Sequence, residues 1–187
     1  DMPRGLEPTN YCVIKLHKEE NKHQFIKRQC MHCNYPSCVS ACPVGALRKQ
    51  PNGAVTYDPG KCIGCRYCMI ACPFNVPRFE YDSATPEIRK CTFCYDQVTQ
   101  GQQPVCTQVC PTGAIMFGTR QEMLKEAHRR IAAEPSRYID HVYGENEVGG
   151  TSVLYLAGVP FASLGLRNFD DEPLPHLAES VQHGIFK

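Results

Sequence analysis

The sequence predicts an α+β chain of small cysteine-bearing modules, made of short hairpins and short helices, followed by a loop-rich C-terminal extension. Three observations carry this expectation. Twelve of the 13 cysteines fall into three groups of four, each ending in Cys-Pro. Short apolar runs separated by turn residues fill the spaces between the groups, which suits hairpins rather than long elements. Only the stretch from Thr119 to Ala133 has the cap and the spacing of a longer helix.

The central group is Cys62-Ile-Gly-Cys65-Arg-Tyr-Cys68-Met-Ile-Ala-Cys72-Pro73. C-x2-C-x2-C-x3-C-P is the run of the bacterial two-cluster ferredoxins. Three thiolates on one tight loop suit three irons of a single cubane. The fourth, one turn into a short helix, points away toward a second cluster. Gly64 lets the loop backbone close around sulfur, and Pro73 fixes φ and removes a donor where the helix must end. The first group, Cys30-Met-His-Cys33-Asn-Tyr-Pro36-Ser-Cys38-Val-Ser-Ala-Cys42-Pro43, is the same run with two extra residues before its third cysteine. Pro36 shapes that wider loop.

Between the two groups, Asn52-Gly53 separates apolar runs and signals a hairpin, and Asp58-Pro59-Gly60 turns the chain back. Residues 30–81 therefore form a two-cluster ferredoxin-like module. In the ferredoxin plan each loop gives its fourth cysteine to the other loop's cluster. That plan implies one cluster on Cys30, Cys33, Cys38 and Cys72 and a second on Cys62, Cys65, Cys68 and Cys42.

The third group, Cys91, Cys94, Cys106 and Cys110, repeats the C-x3-C-P ending after an eleven-residue insertion read as a loop. Its continuation, Thr112-Gly-Ala-Ile-Met-Phe117, echoes Val44-Gly-Ala-Leu47 and reads as a strand. Residues 82–118 are thus a second half-module, with a third cluster expected. Ahead of the groups, residues 1–29 offer a strand at Tyr11–Leu16 and a second at Phe25–Lys27. Cys12, in the first of these, reads as a small buried hydrophobe. After them, Thr119 and Glu122 form a capping box, and Met123, Leu124, Ala127 and Ile131 fall on one helix face before Glu134-Pro135 ends it. The remainder of 119–187, with a strand at Val153–Leu156, is patterned too weakly to fold alone. It is expected to wrap the core or a neighbouring subunit.

Composition excludes several classes. The formal charge of +1 gives no case for nucleic-acid binding. It counts thiols as neutral; twelve thiolates on three cubanes of about +2 each bring it to about −5. No apolar run approaches the ~18 residues of a membrane span, and no signal segment is visible. A disulfide scaffold has no reason to repeat C-x2-C three times, and zinc sites separate their cysteine pairs by roughly 15–20 residues. No phosphate-binding, dinucleotide, haem or nucleophile-elbow motif occurs. A cluster with four thiolate ligands has no open coordination position, so it moves single electrons and binds no substrate. Lys61, Arg66, Arg78, Arg89 and Lys90 lie near ligands and are candidates for tuning potentials or docking a partner. His32, inside the first loop, reads as a side chain beside the cluster or at a subunit surface.

Q-C-M-H-C-N-Y-P-S-C-V-S-A-C-P, C-I-G-C-R-Y-C-M-I-A-C-P-F-N-V-P, K-C-T-F-C and C-T-Q-V-C-P-T-G-A-I-M-F-G-T-R resemble the four-cluster electron-transfer subunits of membrane-associated oxidoreductases. His141-Val-Tyr-Gly144, Gly149-Gly150-Thr151 and Gln182-His183 look closest to the hydrogenase and formate dehydrogenase branch. The resemblance implies an electron relay without a substrate site of its own. Its partners would be a catalytic subunit (a molybdopterin enzyme or a [NiFe] hydrogenase) and a quinone-reactive membrane subunit. The expected place is the periplasmic side of the membrane, held by partners or by a membrane helix beyond Lys187. The family also carries an N-terminal cysteine run that pairs crosswise with the third group, giving four [4Fe-4S] clusters in all. Either such a run precedes Asp1, or Cys91, Cys94 and Cys106 close their cluster with Cys110. A free-standing polyferredoxin and a zinc-stabilised interaction module are the alternatives.

Overall fold

The computed structural model describes residues 5–19 and 22–175. Gln182-His183 therefore lies outside the described residues. The chain is a mixture of two-stranded antiparallel hairpins and short helices. β1 (Val13–Glu19) pairs with β2 (Lys22–Arg28), and β3 (Leu47–Lys49) with β4 (Val55–Tyr57). β5 (Arg78–Phe79) pairs with β6 (Ile88–Arg89). The helices are α1 (Ser37–Ser40), α2 (Tyr67–Ala71), α3 (Tyr95–Thr99), α4 (Val105–Gln108) and α5 (Arg120–Ala133). Among the described residues none is long and apolar enough to cross a membrane.

Local chemistry explains each helix end. Pro36 cannot donate but its carbonyl accepts from Val39 and Ser40, so it opens α1. Thr119 accepts from the Glu122 amide while Glu122 reaches back to the Thr119 amide, and this capping box opens α5. Asp58 accepts from the Gly60 amide and pairs with Lys61, fixing the turn into the central cysteine loop.

Four expectations need correction. The insertion between Cys94 and Cys106 is not all loop, because α3 occupies its first half. Residues 112–117 form turns rather than a strand, since no partner strand lies beside them among the described residues. Val153–Leu156 is likewise no strand; its pairing shrinks to the single bridge Tyr143–Tyr155. Cys12 precedes β1 and is exposed, because the inward face of the hairpin is taken by Val13 and Ile26.

The main apolar core joins both ends of the chain. Tyr143, Val148, Ala157, Val159, Phe161, Leu164 and Leu166 from the C-terminal segment pack on Ile26, Cys30, Met31, Phe74 and Val76. The extension thus finds its hydrophobic partners on the first cysteine loop of its own chain. Residues 150–153 run along that loop: Asn34 donates to Gly150, while Ser152 and Val153 donate to the carbonyls of His32 and Met31. From the other side the Arg120 guanidinium grips the carbonyls of Thr151 and Glu145 at 2.9 and 2.7 Å. A second core of Leu47, Val55, Cys68 and Ile88 sits under the β3–β4 hairpin, with Cys38, Cys42 and Cys62 against it.

Candidate metal centres

The three cysteine groups share a backbone device that their side chains hide. In the first C-x2-C of each group the residue before the second cysteine is left-handed: His32 at φ 49°, Gly64 at 69° and Phe93 at 62°. This turn swings the amide back onto sulfur, and Gly64 and Phe93 donate to Cys62 and Cys91 Sγ at 3.5 Å. After each Cys-Pro a second left-handed residue recurs: Gly45 at 61°, Asn75 at 50° and Gly113 at 63°. Their amides close onto the carbonyls of Cys42, Cys72 and Cys110. Such positions disfavour residues with a Cβ, yet two groups place His and Phe there. Geometry required by the loop outweighs the local preference.

The same turn wraps each fourth cysteine in amides. Burial pushes the Cys42 thiol up, but the amides of Leu47, Val44, Ala46 and Gly45 together hold it below its ordinary value. Ala46 donates to its sulfur at 3.2 Å. At Cys110 the Thr112 hydroxyl, then the Ile115 amide and its neighbours, bring the thiol down to about 7. At Cys72 burial wins over the amides of Val76, Phe74 and Asn75, and the thiol stays high.

Two cavities follow from this folding. The first, of about 350 Å³, is lined by Cys30, Cys33, Cys38 and Cys72 together with Val55, Phe74 and Lys90. The second, of about 310 Å³, is lined by Cys42, Cys62, Cys65 and Cys68 together with Leu47, Tyr57, Arg66 and Ile88. Electrostatic neighbours sort the same way. Burial, then Cys30 and Cys72, pushes Cys33 up to about 12; burial, then Cys42, Cys62 and Cys65, pushes Cys68 up to about 11. Helices α1 and α2 cross between the cavities. Cys38 faces the first and Cys42 the second; Cys68 faces the second and Cys72 the first.

The third group is gathered less tightly. Cys91 packs on the main core, where burial pushes it up to about 11, and it feels Cys30. Cys94, Cys106 and Cys110 are half-buried, and neither cavity is lined by a third-group cysteine.

The donor sets suit a wide cofactor rather than one ion. Among the described residues no three His, Cys, Asp or Glu side chains are placed to hold a single metal ion. Four thiols lining one cavity are the donor set of a cubane. Burial foremost keeps the Cys33, Cys38, Cys68 and Cys72 thiols from ionising readily on their own; bound iron would supply the positive charge that makes thiolates of them. His32 is not a surface residue, and its buried Nε2 has no hydrogen-bond partner among the described residues. It is fully buried, accepts from the Val55 amide through Nδ1 at 2.9 Å and stacks on Phe93 at 4.7 Å. Burial, with Lys90 and Lys49 nearby, holds its pKa well below the usual value, so the ring is neutral.

Of the basic residues near the ligands, Lys61 pairs with Asp58, and Arg89 pairs with Glu80 and Glu87. Arg78 binds the carbonyls of Leu6 and Pro77 and the amide oxygen of Asn75. Arg66 lies exposed over Phe79 and Tyr81. Only Lys90 is buried, at 5 % exposure. Sequence reasoning passed over Lys49 and Tyr57. The period-2 pattern of β3 carries the signal for Lys49, which shares the inward face with Leu47. Tyr57 bonds to Cys62 and receives the Ile88 amide.

Comparison with known proteins agrees with this geometry. The model of the 4Fe-4S dicluster domain matches residues 21–120. The hydrogenase-2 operon protein HybA of Escherichia coli O157:H7 is 42 % identical over 93 % of this chain and 61 % of its own length. The iron-sulfur subunit of the nitrate-inducible formate dehydrogenase of Escherichia coli K12 is 42 % identical over 83 % of this chain and 55 % of its own. A protein of Nitratidesulfovibrio vulgaris is 54 % identical over 76 % of this chain and 39 % of its own. The chain thus spans between about two fifths and three fifths of the length of these relatives. By this match the chain belongs to the 4Fe-4S dicluster domain family, whose cofactor is the [4Fe-4S] cluster.

Proposed function

We propose that the chain is the electron-transfer subunit of a respiratory oxidoreductase, relaying single electrons between a catalytic subunit and a quinone-reactive membrane subunit. The observation that carries the reading is the pair of four-cysteine cavities joined by α1 and α2. Cys30, Cys33, Cys38 and Cys72 hold one cluster, and Cys62, Cys65, Cys68 and Cys42 hold the other. The third group holds a further cluster with Cys91, Cys94 and Cys106. Its fourth ligand is either Cys110 or a cysteine of an N-terminal run. The chain's own residues supply thiolates, amide donors to sulfur and a dry wall; the clusters supply one-electron chemistry. No substrate site belongs to this reading. The hydrogenase and formate dehydrogenase relatives support a hydrogenase or molybdopterin enzyme as the catalytic partner. The resemblance of the cysteine runs supports a position on the periplasmic side of the membrane.

The test is iron, zinc and acid-labile sulfide per chain, with paramagnetic resonance after reduction. About eight iron with matching sulfide fills both cavities, and about twelve also fills the third group. Zinc without sulfide refutes the proposal. Cell fractionation checks the location.

A further inference from the structure

Lys90 and Lys49 both lie within electrostatic reach of the first quartet's cysteines, with no carboxylate to answer them among the described residues. Lys90 lines the cavity, and its ammonium donates to the carbonyls of Val55 and Cys91. Lys49, half-buried, donates to the carbonyls of His32 and Gly53 at 2.9 and 2.7 Å and to Ser152 Oγ at 3.1 Å. All five acceptors are neutral. Among the described residues neither lysine forms an ion pair, whereas Lys61, Arg89, Arg129, Arg130 and Arg137 each do. Burying a cation without a counter-charge is costly, and carbonyl dipoles offset only part of that cost. The second cavity is walled differently. Its one cation, Arg66, is exposed to water, and its polar wall group is the neutral phenol of Tyr57. The amide baskets at Cys42 and Cys72 are similar in kind and do not separate the two sites.

We propose that Lys90 and Lys49 are the built-in counter-charge of the cysteine quartet Cys30, Cys33, Cys38 and Cys72, and that they raise the reduction potential of its cluster selectively. The inference rests on the ligand assignment above. When a low-potential one-electron donor reduces this centre, one electron enters, no bond breaks and no proton moves. The centre gains one negative charge, and the two ammonium groups stabilise the reduced form more than the oxidised one. Water screens Arg66, so the second centre lacks this bias.

The experiment is a potentiometric titration followed by paramagnetic resonance on the native full-length protein and on Lys90→Gln, Lys49→Gln and Arg66→Gln. Glutamine keeps a donor at each site and removes the charge. Lys90→Gln should lower the reduction equilibrium constant of one cluster about tenfold, which is about 59 mV for one electron. Lys49→Gln should move the same signal in the same direction by less, and Arg66→Gln should leave it in place. Unmoved signals in both lysine variants, at wild-type iron and sulfide, overturn the proposal; so does an equal shift of every signal. If Lys90→Gln loses iron, Lys49→Gln decides alone. Wild-type protein without iron and sulfide refutes the cluster reading itself, whereas iron-replete protein with unmoved potentials refutes only the lysine assignment.

Discussion

Gly144→Ala should strip the first cavity of its support without touching a single cysteine. Gly144 sits at φ +96°, where a residue with a Cβ pays about 1 kcal/mol. The added carbon would collide with Thr151 Oγ1 and lie 2.5 Å from the Val153 carbonyl oxygen. Neither neighbour gives way freely. Thr151 is fully buried and donates to Val153 at 2.6 Å, and the Val153 amide is bound to Met31. Overpacking of this kind costs about 1–3 kcal/mol, so the whole penalty is about 2–4 kcal/mol. For a chain of this size that lowers Tm by roughly 4–16 °C. The strain is aimed. Residues 150–153 hold the loop carrying Cys30 and Cys33 through three backbone hydrogen bonds, and reach the β3–β4 hairpin through the Ser152 side chain at Lys49 and Gly53. Anaerobic thermal scans with iron and sulfide assays should show an earlier transition, with loss greatest at the resonance of the first cluster. Wild-type Tm and iron content would refute the view that the C-terminal segment buttresses this centre.

Four further outcomes are expected. Cys72→Ser and Cys33→Ser should alter the same resonance, and Cys42→Ser the other, although Cys72 and Cys42 each lie in the opposite sequence run; resonance spectra of the three variants check this. Gly64→Asn should cost at most about 1 kcal/mol by chemical denaturation, because His32 and Phe93 already adopt that conformation in the sister loops and the nearest atoms, in Phe79, stand 3.7 Å away. Thr119→Ala should destabilise the chain by about 1 kcal/mol by removing the cap of α5, measured the same way. Arg129 and Arg130 hold the Glu126 carboxylate down at about 2. Its folded pKa is depressed, so its contribution is present above the ordinary 4.5 and is lost as pH falls toward about 2. The group is exposed and screened, so Glu126→Gln should flatten the acid limb of Tm against pH only slightly, and less at high salt.

The parts of the fold legible in the sequence are those fixed by short-range chemistry. Asn52-Gly53 announced the β3–β4 hairpin, and Thr119 with Glu122 announced α5. The crosswise gathering of the cysteines followed from the ferredoxin plan that the run resembles rather than from helix periodicity: α1 and α2 end before Cys42 and Cys72, which frees these two to leave the face of Cys38 and Cys68. What the sequence concealed depends on contacts made at long range. Thr112–Phe117 has strand-like residues but no neighbour to pair with among those described. Residues 138–169 look unpatterned because their apolar side chains answer to an irregular loop rather than to a sheet or a helix. The left-handed residues in the C-x2-C loops were legible only at Gly64, since His32 and Phe93 give no hint of such backbone. Lys90 read as one of five similar cations until burial separated it from the rest.

The crossing of α1 and α2 between the cavities bears on how the protein is made. With the ligands proposed, neither cubane can be completed by a continuous stretch of chain. The first needs Cys72, and the second needs Cys42 from some twenty residues upstream of its other ligands. A nascent chain that has emerged only as far as β4 therefore offers three of the first quartet's thiols, with Cys72 still to come. Loading is expected to be a late, paired event that follows the closing of α2 against α1. Maturation should then proceed from empty to doubly filled with little singly loaded protein in between.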